Sequence, residues 1–214
     1  MSTAASNMIM TRWWWVRHAP VTEDGGCIYG QADLDCDCTS EDVFTGLERF
    51  LPREAVWVTS NLRRTHQTAQ AILARRKAET PAAPLVVPEL AEQHLGEWQG
   101  RDRAAFFGGR TARPDSYWFG PADERPPGGE SFEDLVARAG PAIARINRMH
   151  AGRDLVAVAH GGTIRAALSL ALGTPPQTAL AFAIANCSVT RIDHVRTAGA
   201  EGWRVALVNH IPAP

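Results

Sequence analysis

Hydrophobic and polar positions along the chain alternate between short apolar runs and longer stretches of helical period. Trp13-Trp14-Trp15-Val16 is four large apolar residues in a row, the pattern of a strand buried on both faces as in the centre of a parallel sheet. Val56–Thr59, Leu85–Val87 and Leu155–Ala159 repeat that pattern. Between them, Val43, Phe44, Leu47 and Leu51 fall at helical spacing over about 41–51. Ser60 and Asn61 are good N-cap residues for a helix reaching about Arg76. Ser131, followed by Glu133 and Asp134, predicts a capped helix lined by Phe132, Leu135, Val136, Ala139, Ile143 and Ile146, with a kink or restart at Pro141. A further helix is expected over about 163–171. Ala181–Asp193 and Trp203–Asn209 read as a hairpin-like pair at the sheet edge. Strand and helix alternate, and no internal repeat is present, so the expected fold is a three-layer α/β/α sandwich with a mostly parallel central sheet.

Two segments break the rhythm. Residues 19–37, with Pro20, Gly25, Gly26, Gly30 and five acids, read as a surface loop. Gln99–Gly129 combines chain breakers with Phe106, Phe107, Tyr117, Trp118 and Phe119, the composition of a cap packed over something rather than of a linker. The organisation expected is a single domain over 8–212, with an irregular cap at about 99–130 and a loose tail at 1–7.

Composition narrows the function classes. With 214 residues, 45% of them apolar, there is enough chain for one sizeable core. A net charge of −1 gives no global reason to expect nucleic acid or an anionic membrane as partner, so anion binding has to be local. Lys77 is the only lysine, and in so arginine-rich a chain one well-placed arginine is weak evidence. Cys27, Cys36, Cys38 and Cys187 form neither a disulfide framework nor a C-x-x-C pair, which suits reduced thiols in the cytoplasm. Neither a signal peptide nor an apolar run of membrane-spanning length is evident.

Three apolar strands end in polar residues: Arg17-His18, then Ser60 with Arg63 and Arg64, then His160-Gly161. In a parallel sheet those ends share one edge, where residues far apart in sequence converge. Cations in the first turn of a helix conflict with its macrodipole, and the conflict disappears if an anion binds there; the bland alternative is a pair of solvated arginines. A histidine after a strand is often only structural. A second one in the equivalent place, followed by glycines at a helix start, turns the balance toward a phosphate site with a nucleophilic imidazole.

Arg17-His18-Ala19 resembles the Arg-His-Gly signature of the histidine phosphatase superfamily, also called the phosphoglycerate mutase-like family. Further motifs follow in the family's order: Ser60–Ala69, Leu90–Gly100, Gly128–Phe132 and Val158–Arg165. The likeness covers roughly 11–209. By that resemblance His18 is the nucleophile that becomes phosphorylated, Glu92 the general acid and base, and Arg17, Arg64 (rather than Arg63), His160 and Gly161 the phosphoryl-binding set. It implies a metal-independent and cofactor-free hydrolase of a small phosphorylated substrate, releasing inorganic phosphate. Phosphoryl transfer needs positioning and charge neutralisation, which such a set supplies. The alternatives are phosphoglycerate mutase-type transfer, a non-catalytic phospho-ligand binding protein on the same fold, and a metal-dependent hydrolase. The chain departs from the family pattern at Ala19 and Pro20, and at Asp24, where many relatives carry an asparagine. A carboxylate repels a bound dianion, so Asp24 is expected to point away or to be protonated. Glu89, Glu97 and Glu130 compete with Glu92 for the acid role, and solvated or capping roles suit them better. His66, His94, His150, His194 and His210 are expected to be structural or exposed, with His94 close enough to the acid to line the pocket.

Overall fold

Period-two alternation sorts the tryptophan run onto two faces of one strand. In the computed structural model, which describes residues 8–76, 83–110 and 118–214, strand β1 spans Ile9–Arg17. Trp13 and Trp15 point to one side and stack at 4.9 Å, an arrangement worth about 0.5–1.5 kcal/mol beyond burial. Trp14 points to the other, meets Phe50 edge-on and gives its indole N–H to Asp154 at 2.8 Å. The tail expected over 1–7, Lys77, Pro114 and Tyr117 lie outside the described residues.

Strand β2 (Val56–Thr59), β3 (Leu85–Val86) and β4 (Asp154–Ala159) join β1 in parallel. Strand β5 (Val189–Arg196) runs antiparallel to β1, and β6 (Glu201–His210) antiparallel to β5, giving the order β3-β2-β4-β1-β5-β6. Each face carries its own core. Trp13, Trp15, Leu155 and Ala157 pack with helices α4 (Phe132–Met149) and α5 (Gly161–Leu172); Val16, Val156 and Val158 pack with α1 (Glu41–Phe50) and α2 (Arg63–Leu73). This is the expected mostly parallel α/β architecture.

Four local expectations need correction. Helix α2 begins at Arg63 with Leu62 as its cap residue, because the Ser60 hydroxyl is used elsewhere, accepting from the Leu62 N–H at 3.1 Å and meeting His160. Helix α4 runs through Pro141 without a restart, the preceding Gly140 offering the proline ring no Cβ to strike, and the face through Ala139, Ala142, Ile143 and Ile146 is buried. The irregular segment contains a short helix, α3 (Arg103–Gly108), whose cap Asp102 accepts from the Ala105 N–H at 2.7 Å. Finally, 181–188 is not strand: a one-turn helix α6 (Pro176–Ala179) and a loop precede β5, which with β6 forms the expected antiparallel pair at one end of the sheet.

Candidate active site

The register Arg17↔Ala159 between β1 and β4 sets the geometry of the two histidines that follow those strands. Their rings lie 5.2 Å apart, both essentially without solvent exposure. The His18 N–H donates to Ala159 O at 3.0 Å, and Asn186 Nδ2 donates to His18 O at 2.8 Å, so the nucleophile candidate is held on both sides of its backbone. His18 Nδ1 faces Ala19 O at 2.7 Å; a carbonyl can only accept, so the proton sits on Nδ1 and Nε2 keeps a free lone pair. Burial first, then the charges of Arg64 and Arg17, pull the His18 pKa well below 6.5 and keep the ring neutral at pH 7. Burial, Arg64, His18 and Arg17 do the same to His160. His160 Nε2 meets Ser60 Oγ at 2.8 Å, while its Nδ1 is buried with no partner among the described residues.

The two arginines at the start of α2 part company. Arg63 is exposed and paired with Asp33 and Asp35, each at 3.2 Å, and its backbone N–H is capped by Asp33 Oδ1 at 2.7 Å. The anion that offsets this first-turn cation is therefore a carboxylate of the 19–37 loop. Arg64 is fully buried; its Nη1 and Nη2 donate to Ala32 O at 2.8 Å and Gly30 O at 2.7 Å, leaving Nε without a partner among the described residues. Gly30 has φ +45° and a Cβ there would fall 2.5 Å from Gln99 Oε1, so the turn that aims this carbonyl requires glycine. Arg17 is built the same way, with Nη1 on Ile184 O at 2.5 Å and Nε unpartnered.

Glu92 faces the first turn of α5. Its carboxylate accepts from the Gln93 N–H at 2.9 Å and the Gly162 N–H at 3.1 and 3.2 Å. The approach is so close that a Cβ on Gly162 would lie 2.2 Å from Glu92 Oε1. The competing carboxylates are committed elsewhere: Glu130 to Arg138 at 2.5 Å, Glu89 to Arg145 at 2.9 Å, while Glu97 is exposed. His94 accepts from the Gly96 N–H at 3.3 Å and is not among the walls of the cavity described next.

A cavity of about 270 Å³ opens over this cluster, bounded by Arg17, Glu92 and Asn186 and by Tyr29, Trp118 and Phe119. Asp24, expected to point away from a bound dianion or to be protonated on binding, is among the residues lining the cavity, where the hydrogen bond from Arg103 at 2.6 Å holds its pKa below the usual value. Sequence reasoning missed two residues. Arg165 is buried one helical turn after Gly161, with Nε on Phe182 O at 2.8 Å and its guanidinium 4.7 Å from the Trp118 ring centre; burial lowers its pKa to about 10. The i, i+4 spacing from Gly161 was the available signal. Asn186 had none, because its role is set by the turn at Cys187, φ 59°. Four buried or half-buried guanidinium groups, of Arg17, Arg64, Arg103 and Arg165, against the two carboxylates of Glu92 and Asp24 make a pocket suited to a dianion.

Known proteins resemble this chain along much of its length. The histidine phosphatase superfamily (branch 1) model matches residues 13–210. A metal-independent phosphoserine phosphatase of Arabidopsis thaliana is 33% identical over 71% of this chain and 64% of its own length. A 2,3-bisphosphoglycerate-dependent phosphoglycerate mutase of Gloeobacter violaceus is also 33% identical, over 65% of this chain and 64% of its own. The chain thus spans less than two thirds of both relatives. A glucosyl-3-phosphoglycerate phosphatase of Mycolicibacterium vanbaalenii is 33% identical over 75% of this chain and 73% of its own. Among solved structures, a mycobacterial glucosyl-3-phosphoglycerate phosphatase superposes with a TM-score of 0.76 at 27% identity, covering 94% of this chain and 99% of its own.

Proposed function

The chain belongs to the histidine phosphatase superfamily, and from that premise we propose that it hydrolyses a small phosphomonoester through a phosphohistidine on His18. One observation carries the reading: among the described residues, Arg17 Nε, Arg64 Nε and His160 Nδ1 are buried without partners beside a neutral imidazole. Buried polar atoms are nearly always paired, and three orphans contributed by three strand ends suit the oxygens of one phosphoryl group. The Thr65 hydroxyl donates to Leu62 O at 2.8 Å, and Ser60 Oγ already accepts from Leu62 N, so the Ser60 proton is free to go to His160 Nε2. A neutral His160 then carries its own proton on Nδ1, as a donor to phosphate. Gly161, beside Arg17, completes the binding set at the start of α5.

In the first step the His18 Nε2 lone pair attacks phosphorus while the ester oxygen leaves with the proton of Glu92. In the second, Glu92 takes a proton from the water that attacks phosphohistidine, releasing inorganic phosphate and restoring the imidazole. The reading requires neither a metal nor an organic cofactor. The test is mass spectrometry after base quenching during turnover of an aryl phosphate. Phosphate on the His18 peptide, more of it in Glu92→Gln, a loss of at least ~10³-fold in His18→Ala, and indifference to chelator are expected. Turnover retained in His18→Ala overturns the reading, and isomerised phosphoglycerate in place of released phosphate would identify a mutase.

A further inference from the structure

The loop that holds Arg64 ends in two thiols. Cys36 Sγ lies 3.6 Å from Cys38 Sγ, and it also donates to Arg64 O at 3.3 Å and sits 3.5 Å from Thr68 Oγ1. Thr68 Oγ1 in turn accepts the N–H of Ala19, the residue after His18, at 2.9 Å. The same loop supplies Gly30 O and Ala32 O to the Arg64 guanidinium, and the Asp37 N–H ties it to Pro20 O at 2.8 Å. Cys36 thus stands where the phosphate clamp and its supporting loop are joined. We propose that Cys36 and Cys38 are a peroxide-oxidisable pair whose closure to a disulfide shifts the carbonyls holding Arg64 and weakens phosphate binding.

The two thiols are unequal. A hydrogen bond from Cys38, helped by Thr68 and the charge of Arg64, pulls the Cys36 pKa down against the cost of burial. Cys38 is pushed up, chiefly because its S–H donates to Cys36. Cys36 is also the one of the two that lines an opening to solvent, so it is the thiol that gives up its proton and attacks, and Cys38, 3.6 Å behind it, is the resolving thiol. Cys187, whose thiol is raised to about 12 by burial, is inert by comparison. Cys36 is reached through a second opening, about 550 Å³, lined by Glu23, Asp35 and Asp37 and by Arg63, which is already paired. Those carboxylates repel an anionic oxidant such as glutathione disulfide and admit neutral hydrogen peroxide.

The chemistry balances. The Cys36 thiolate attacks one peroxide oxygen, the O–O bond breaks, and the departing hydroxide takes a proton to become water, leaving a sulfenic acid. That acid is neutral, so the effect that held the Cys38 proton is relieved. Cys38 sulfur then attacks Cys36 sulfur, the S–O bond breaks, and the hydroxide leaves with the Cys38 proton as a second water. Two thiols lose two electrons and the peroxide gains them. A disulfide needs the sulfurs at about 2.05 Å, so closure draws Cys36 away from Arg64 O and Thr68 and moves the backbone that carries Ala32.

The effect on binding rests on the phosphate site proposed above; the thiol chemistry does not. The full chain is treated with stoichiometric hydrogen peroxide, and the peptide between Arg17 and Arg49 is analysed before and after dithiothreitol, with a further cut after Tyr29 that removes Cys27 from the piece holding Cys36 and Cys38. In parallel, the affinity for inorganic phosphate is measured by calorimetry. Expected are the loss of two hydrogens from that peptide, a rise of about tenfold in the Kd for phosphate, and reversal of both by dithiothreitol. Cys38→Ser should stop at a sulfenic acid trapped by dimedone, Cys36→Ser should keep its phosphate affinity after peroxide, and glutathione disulfide should act more slowly than peroxide. A disulfide that leaves phosphate affinity unchanged overturns the coupling, and bridging of Cys27 or Cys187 instead of Cys38 overturns the site. Reduced protein that binds no phosphate refutes the functional reading while the peptide masses still decide the thiol pair.

Discussion

The two ends of the candidate site are made of different material. At the floor, beneath the residues that line the cavity, His18, Arg64 and His160 are almost completely buried, and each is oriented by a backbone carbonyl or a buried hydroxyl. At the mouth, Tyr29, Trp118 and Phe119 are only half-buried and belong to two connecting segments rather than to the sheet. The floor is built from the ends of β1, β2 and β4, whose mutual positions are fixed by ladder hydrogen bonds, and it can hold reacting atoms to the tolerance that phosphoryl transfer needs. The mouth rests on side-chain packing alone, which permits leaving groups to differ without disturbing the chemistry.

If that division is right, the largest effects come from displacing a floor group without unfolding the chain. In Gly162→Ala the new methyl would lie 2.2 Å from Glu92 Oε1, the end of a flexible side chain, so the carboxylate must swing away while helix α5 stays intact. We expect kcat to fall by about 10²-fold with little change in melting temperature. A normal kcat would mean that Glu92 does not act from this position. The next effect in size is Arg64→Lys. One ammonium cannot reach Gly30 O and Ala32 O and also present a third N–H to phosphate, so KM should rise by about tenfold or more. Unchanged KM would move the phosphate away from the α2 start.

The floor was readable in the sequence and the mouth was not. Apolar runs ending in Arg-His, Ser-x-x-x-Arg and His-Gly announce both the strands and the edge where they end, because burial and chemistry are written in side chains. The choice of Arg64 over Arg63 came from the family pattern; its physical basis is the pairing of Arg63 with Asp33 and Asp35, thirty residues upstream in an acidic loop. The anchors of Arg64 are backbone oxygens, which leave no mark on residue identity. Asp24 illustrates the other limit. Its repulsion of a dianion was foreseeable, whereas the neutralising partner, Arg103, lies 79 positions away in a segment read as irregular. Pro141 causes no restart for a simpler reason: a proline ring crowds the Cβ of the residue before it, and that residue is glycine.

The smallest effect predicted tests the mouth itself. Trp118 stacks 4.7 Å over Arg165, hydrogen-bonds Gln93 Oε1 at 2.6 Å through its indole N–H, and touches Phe119 edge-on. It contacts no atom of His18, His160 or Arg64 among the hydrogen bonds and ring contacts described. Trp118→Ala therefore removes a wall and admits water to Arg165 while leaving the phosphoryl site as it was. For an aryl phosphate, whose ring fills the cavity, KM should rise by about fivefold, the loss of one aromatic contact. For a phosphomonoester with a two-carbon leaving group, which cannot reach that wall, kcat and KM should hardly move. The informative quantity is the ratio of the two kcat/KM values: a substrate-dependent change places Trp118 in leaving-group selection, whereas an equal loss on both would show that the wall and the floor are mechanically one unit, and the division between them would fall.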